Sequence, residues 1–483
     1  MSDSASGESA SVRIETDSLG QVEVPAAAWW GAQTQRAAEN FTISGLRQHP
    51  AYTMSTALIK RAAAEVNMQL GLLDARRGDA IVAAAQRIAE GEHLDQFIVD
   101  PFQAGAGTSH NMNANEVIAN LANASLGGQR GVYDPIHPND HVNMGQSTND
   151  VIPTVTRICC IHESTRLLTA LDELVGALEA KATEFDDVLK SARTHLQDAV
   201  PIRLGQEFGG YALAVRRDRE RIAQALEGVR RLGIGGTAAG TGMNSHPDYH
   251  RAMVARLAEL TGEPLISAGD LFEPMQNAGD LVHFSSTLRT LAVTLTRIAN
   301  DLRLLSAGPT TGLGEIRLPA VQPGSSIMPG KVNPVMAEML NMACYHVMGN
   351  DQTVALCGQA GQLELNVMMP ILAYNLIQSC QVMTSGVATF TERCVLGITA
   401  DAERCRRYAE GSMGLATALN PYIGYSAAAK VAQEALARSV SLRQVVLEQG
   451  LLSADELDAI LDARRMTEPG IPGRPSAGQG ADR

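Results

Sequence analysis

Four short polar segments hold the side chains whose types and spacing could do chemistry. They are Gly105-Ala106-Gly107-Thr108-Ser109 with Asn111 and Asn113, His141-Val142-Asn143-Met144-Gly145-Gln146-Ser147-Thr148-Asn149-Asp150, Arg193-Thr194-His195-Leu196-Gln197, and the run from Gly324 to Asn333. Hydroxyls, amides, backbone N–H groups and one lysine suit the removal of a proton beside a carboxylate. Such a carbon acid is weak, and its carbanion must be held as a doubly charged enediolate by fixed donors aimed at the oxygens. Helix N-termini add positive potential where carboxylates would sit. The base belongs on a Gly-flanked loop that can close over the substrate and exclude water, and Gly324-Ser325-Ser326 between Pro323 and Pro329 has that form.

Taken singly, each segment has an ordinary structural explanation. Ser, Thr and Asn ahead of a helix are usually caps, which would cover Thr108 and Ser147 to Asn149. One imidazole specifies nothing, so His195 alone reads as structural, and Lys331 alone reads as a surface charge. Familiar motifs do not fit. Five residues separate Gly324 from Gly330, and Val332 follows Lys331, so the run is not a Walker phosphate loop. The glycines from Gly233 to Gly242 follow no predicted strand and lack the dinucleotide spacing. There is no HExxH and no Cys/His ligand set, so no metal and no cofactor is expected.

The elements that must position these groups read as helices. Apolar residues at Leu288, Leu291, Leu295, Ile298, Leu302 and Leu305 give a 3–4 alternation that suits long helices packed lengthwise in a bundle, with Gly308-Pro309 stopping this one. Leu167, Leu171, Leu174, Val175 and Leu178 repeat the stripe between Glu163 and Phe185. At 483 residues the chain should form two or three packed units. A Ser-rich head (1–11) and a Gly/Pro-rich tail (467–483) read as disordered or flexible ends.

Composition excludes several partners. A formal net charge of -13 and 4% aromatic residues argue against nucleic acid. No apolar run approaches the length of a membrane span, and the first eleven residues do not form a secretory signal, so a cytoplasmic location is expected. Seven scattered cysteines without a CxxC pair fit buried thiols in a reducing compartment.

The run Gly324-Ser325-Ser326-Ile327-Met328-Pro329-Gly330-Lys331-Val332-Asn333-Pro334 resembles the signature loop of the fumarase/aspartase superfamily, and the other three segments match its remaining active-site regions in order, from about Val12 to Gly470. The resemblance implies a mainly α, three-domain fold: an N-terminal domain (12–146), a central domain built on a long five-helix bundle (147–402) and a small helical C-terminal domain (403–466). It also implies a homotetramer whose active sites each combine segments from three subunits, and a small dicarboxylate substrate.

Carried over by position, Ser325 would be the general base, its alkoxide stabilised by backbone N–H groups and Lys331. Lys331 and Asn333, with Thr194 and His195, would hold one carboxylate, and Ser147 and Thr148 the other. Thr108 and Asn149 would meet the leaving group. Within the superfamily, Ala106, Ser109, Thr148 and the run Gln362 to Met368 resemble the members that eliminate ammonia from aspartate. His137-Pro138-Asn139-Asp140-His141 resembles the fumarate hydratases, the alternative activity. The chain departs from the ammonia-lyase pattern at Thr310-Thr311 and Met369.

Overall fold

The structure is a computed structural model that describes residues 11–474. Residues 1–10 of the expected head and 475–483 of the expected tail lie outside them. The molecule is mainly helical, with long helices Thr148–Glu184, Leu204–Val229, Gly279–Leu305, Val335–Gln359 and Met369–Arg393, and the two stretches read as periodic fall on the first and third of them. All six residues of the stripe from Leu288 to Leu305 are buried, as are Leu167, Leu171, Leu174, Val175 and Leu178. Along these two stretches one apolar stripe does the packing that a lengthwise bundle requires.

Two compact units can be separated, one of residues up to 169, 218–292 and 344–384, the other of 170–217, 293–343 and 385 onward. The chain passes between them five times, each time inside one of the long helices.

In the first unit an antiparallel hairpin, Val12–Asp17 with Gly20–Pro25, precedes the helices Ala32–Asn40, Pro50–Gln69, Ala75–Ala89 and Thr108–Ser125. Pro50 opens its helix, where a missing N–H costs nothing, and Asp74 caps the next by accepting from the Arg77 N–H. Ile81, Ile88, Phe97, Val117 and Ile118 centre the core. Helix Thr108–Ser125 is buried from Ser109 to Asn123 on every face, so its asparagines must find partners inside the protein. Asn123 exchanges two hydrogen bonds with the backbone of Ile136, and Asn113 bonds the Gln96 carbonyl and the Ile98 N–H. Between long helices, Arg157 reaches the Gly228 carbonyl and Asp280, and Ser285 donates to Asp351.

The second unit contains the antiparallel hairpin Leu189–Thr194 with Gln197–Arg203 and a C-terminal cluster around Leu419, Val431, Val445 and Leu457. Tyr211 donates to Asp301, Asn341 to Asn300, and Lys181 to the Ile398 carbonyl. Residues 467–474, assigned by composition to a flexible tail, are fastened here. Thr467 is buried, its carbonyl accepts from Gln206, and Tyr422 donates to the Pro472 carbonyl at 2.6 Å. Composition reports few apolar groups in this stretch, but backbone carbonyls suffice to hold it.

Candidate active site

In the first unit, the turn Gly105–Gly107 leads into Thr108, the exposed first residue of helix Thr108–Ser125. Gly107 has φ 91°, and a Cβ there would press Ile152 at 3.0 Å, so only glycine allows this close approach to the helix that begins at Thr148. The Ala106 N–H donates to the Val367 carbonyl at 2.8 Å, which ties the run Gln362 to Met368 to the Thr108 turn.

One turn along the helix, Asn111 Nδ2 donates to Thr148 Oγ1 at 3.1 Å and to Asn143 Oδ1 at 3.2 Å, so the starts of the two helices are linked. Ser147 Oγ accepts from the Asn149 N–H at 3.2 Å, the capping role foreseen from sequence, and Asn149 Nδ2 donates to the Ala238 carbonyl at 2.8 Å. Thr108, Ser147, Thr148 and Asn149 thus share one unit, around two helix N-termini, where the helix dipole favours anions.

Sequence reasoning missed what lies beneath this turn. Lys60, fully buried in mid-helix, donates to Asn143 Oδ1 at 2.9 Å and Gln146 Oε1 at 3.0 Å. Burial pulls its ammonium down to about 7, against the pull of Asp150. Asp150 accepts from the backbone N–H groups of Ser147, Gly235 and Thr237, and burial pushes its carboxyl up to about 6 in spite of those donors. The glycine cluster from Gly233 does follow a strand, the two-residue Arg231–Leu232 paired in parallel with Ile266–Ser267, which is too short to show alternation. Its backbone holds a carboxylate of this chain. His110, fully buried with Nε2 3.0 Å from Thr56 Oγ1, is pulled down to about 3 by burial and by Lys60.

In the second unit, Thr194 ends one hairpin strand, and His195 and Leu196 form the two-residue turn with φ 55° and 59°. Two successive left-handed residues are what a tight hairpin of this twist demands, but Asn-Gly fills that role at far lower cost than His-Leu. The strain is held by the strands below. Lys190, fully buried, lies 2.7 Å from Glu207 and 3.1 Å from Glu315, and Arg193 lies 2.8 Å from the same buried Glu315. His195 itself is exposed.

The loop Gly324 to Asn333 folds back on itself. A Cβ on Gly324 would collide with the Lys331 carbonyl, and Asn333 Nδ2 donates to the Gly324 carbonyl at 2.5 Å. Ser325 Oγ accepts from the Met328 N–H at 2.9 Å and the Ile327 N–H at 3.3 Å. Two backbone donors on one hydroxyl oxygen favour its deprotonated form. Lys331 is exposed in the same loop. Thr194, His195, Ser325, Lys331 and Asn333 all belong to this second unit, so neither unit holds all nine predicted residues. Thr310 and Thr311 are exposed, and Met369 is buried at a helix start.

Among the described residues no group of three or more His, Cys, Asp or Glu could hold a metal ion, and no helix is long and apolar enough to cross a membrane.

Residues 20–349 match the family described as Lyase, and residues 415–468 match Fumarase C C-terminus. The chain is 50% identical to an aspartate ammonia-lyase from a Bacillus species, over 96% of this chain and 99% of that one. It is 46% identical to a class II fumarate hydratase from Nitrosomonas europaea, over 94% and 99%. The solved fumarate lyase:delta crystallin from Brucella melitensis superposes with a TM-score of 0.92 at 48% identity, covering 95% of this chain and all of that one.

Proposed function

The chain belongs to the fumarase/aspartase superfamily of lyases, and from that membership we propose that it catalyses the reversible anti elimination of ammonia from L-aspartate to give fumarate. The observation that carries this reading is the 50% identity, nearly end to end, with an aspartate ammonia-lyase. Ala106, Ser109 and Thr148 support the same substrate.

Ser325, as alkoxide, takes the proton from the carbon beside one carboxylate, whose enediolate Ser147 and Thr148 hold. The C–N bond to the neighbouring carbon then breaks, ammonia leaves with the bond electrons after protonation, and the double bond of fumarate forms. Lys331, Asn333, Thr194 and His195 hold the other carboxylate, and Thr108 and Asn149 meet the departing amine. A serine hydroxyl is far too weak a base alone. The Met328 and Ile327 N–H groups on its oxygen support the assignment.

The working form is a homotetramer in which each site draws on three subunits, located in the cytoplasm. Leu213, Val293, Leu304, Met342, Tyr345 and Leu356 are exposed apolar residues on the long helices, where burial against other copies would remove them from water. The three domains expected from sequence remain part of this reading.

The loop His137 to His141 and the 46% identity to a fumarate hydratase favour a second reading, interconversion of L-malate and fumarate. The proton-abstraction step is the same in both. Incubation of purified protein with L-aspartate or L-malate, followed by fumarate absorbance in the ultraviolet, separates them. Turnover of malate without aspartate overturns the first reading.

A further inference from the structure

Lys60 stands out as a buried cation that the reaction scheme does not use. Among the described residues it forms no ion pair, and its acceptors are two neutral amide oxygens. Removing an ammonium from water without a counter-ion costs several kcal/mol, and a methionine of similar length would pack in this helix without that cost. The position therefore calls for what only the ammonium brings.

An ammonium has donors and no acceptor. Asn143 must turn its oxygen toward it, and its Nδ2 then donates to the Gln146 carbonyl, as observed. That same Asn143 Oδ1 accepts from Asn111 Nδ2 and from Asn115 Nδ2, both at 3.2 Å. Asn111 must then present its nitrogen side, and its other N–H falls on Thr148 Oγ1 at 3.1 Å. With its oxygen occupied as acceptor by Asn111, the Thr148 hydroxyl has its proton left to give. Among the described residues the buried Oδ1 atoms of Asn111 and Asn115 have no hydrogen-bond partner, as this orientation of the two amides requires.

We propose that Lys60 is a positioning residue whose donor-only ammonium sets, through Asn143 and Asn111, the direction in which the Thr148 hydroxyl offers its proton to a substrate carboxylate. This rests on the reading above that Thr148 holds the carboxylate that becomes the enediolate. Asp150 and His110 are the titratable groups that face Lys60. Asp150 favours its charge and His110 is disfavoured by it. A substrate anion at Thr148 adds to the favourable side.

The test is a double-mutant cycle on the full-length enzyme, with fumarate release from L-aspartate as readout. Lys60→Met should lower kcat/KM about 10- to 100-fold, the scale of a small misplacement of a substrate-holding group. Combined with Thr148→Val it should cost no more than about threefold beyond Thr148→Val alone, because both changes remove one interaction. Asn111→Leu, which cuts the relay but leaves the ammonium, should match Lys60→Met and carries the test if that variant does not fold. Penalties that multiply, or a Lys60→Met enzyme within about twofold of the parent, overturn the proposal. Failure of the parent itself to release fumarate from aspartate or malate would instead remove the reading of the site.

Discussion

A hydroxyl becomes a base only where its anion is preferred, and at Ser325 the two N–H groups of Ile327 and Met328 supply that preference within the span of one turn. Ser325→Ala should lower turnover of aspartate by roughly a thousandfold or more. Melting temperature and size-exclusion profile should not change, since the side chain is only half-buried and water can serve the freed N–H groups. Activity within tenfold of the parent would remove Ser325 from the role of base. His110 gives a residue-scale prediction of another kind. Its folded pKa, about 3, lies below the ordinary 6.5, so the folded state holds fewer protons between those values and stability declines as pH falls through that window. Asp150 acts in the opposite sense between 3.8 and about 6, because its folded pKa is raised and the stability it adds at low pH is lost as pH rises. The parent curve mixes the two, so the difference from His110→Gln isolates the histidine. Urea unfolding from pH 7 to pH 4 should show the parent losing up to about 1.4 kcal/mol per pH unit relative to that variant. Parallel curves would mean that His110 is not held neutral.

At the scale of elements, the hairpin that presents His195 is held from below by Lys190, Arg193 and the buried Glu315, 122 residues along the chain from Arg193. Glu315→Gln leaves two cations facing a neutral amide and should cost about 3 kcal/mol in denaturant unfolding, with a raised KM because the strained His195-Leu196 turn loses its support. An unchanged midpoint and KM would show that Glu207 alone suffices. The same hairpin explains why sequence revealed some elements and hid others. The long helices were legible because Leu288 to Leu305 face a core through one repeated apolar spacing. In Leu189–Thr194 the buried positions are Lys190 and Ser191, so no apolar alternation marks the strand, and the carboxylate that neutralises Lys190 is remote in sequence. Lys60 was hidden for the same reason. A lysine in a helix reads as solvated until Asn143 and Gln146, more than 80 residues away, are found against it. The segments proposed for the site stood out as polar runs and by resemblance, whereas their supports, Asn111, Asp150 and the Gly235 to Thr237 backbone, depend on long-range contacts that local pattern does not carry.

At the scale of the whole molecule, the proposed sharing of sites between subunits predicts behaviour that no single chain could display. Thr148 lies in one compact unit and Ser325 in the other. If each site of a homotetramer takes these two residues from different subunits, a Thr148→Val chain still carries an intact Ser325, and a Ser325→Ala chain an intact Thr148. Co-expressed in equal amounts, the two inactive chains assemble at random, and a given site receives both intact residues with a probability of one half times one half. Hybrid tetramers should therefore recover roughly a quarter of the parent's aspartate turnover per site, well above either variant alone. Recovery must also depend on assembly. Charged substitutions on the exposed apolar helix faces, such as Met342→Glu with Leu356→Glu, should leave folded but dissociated chains that recover nothing when mixed. If hybrids purified by a tag on each variant remain as inactive as their parents, then Thr148 and Ser325 serve the same site from the same chain, and the shared-site architecture is wrong. Random assembly samples every arrangement of the two chains, so the recovered fraction is the same whichever copy supplies which segment.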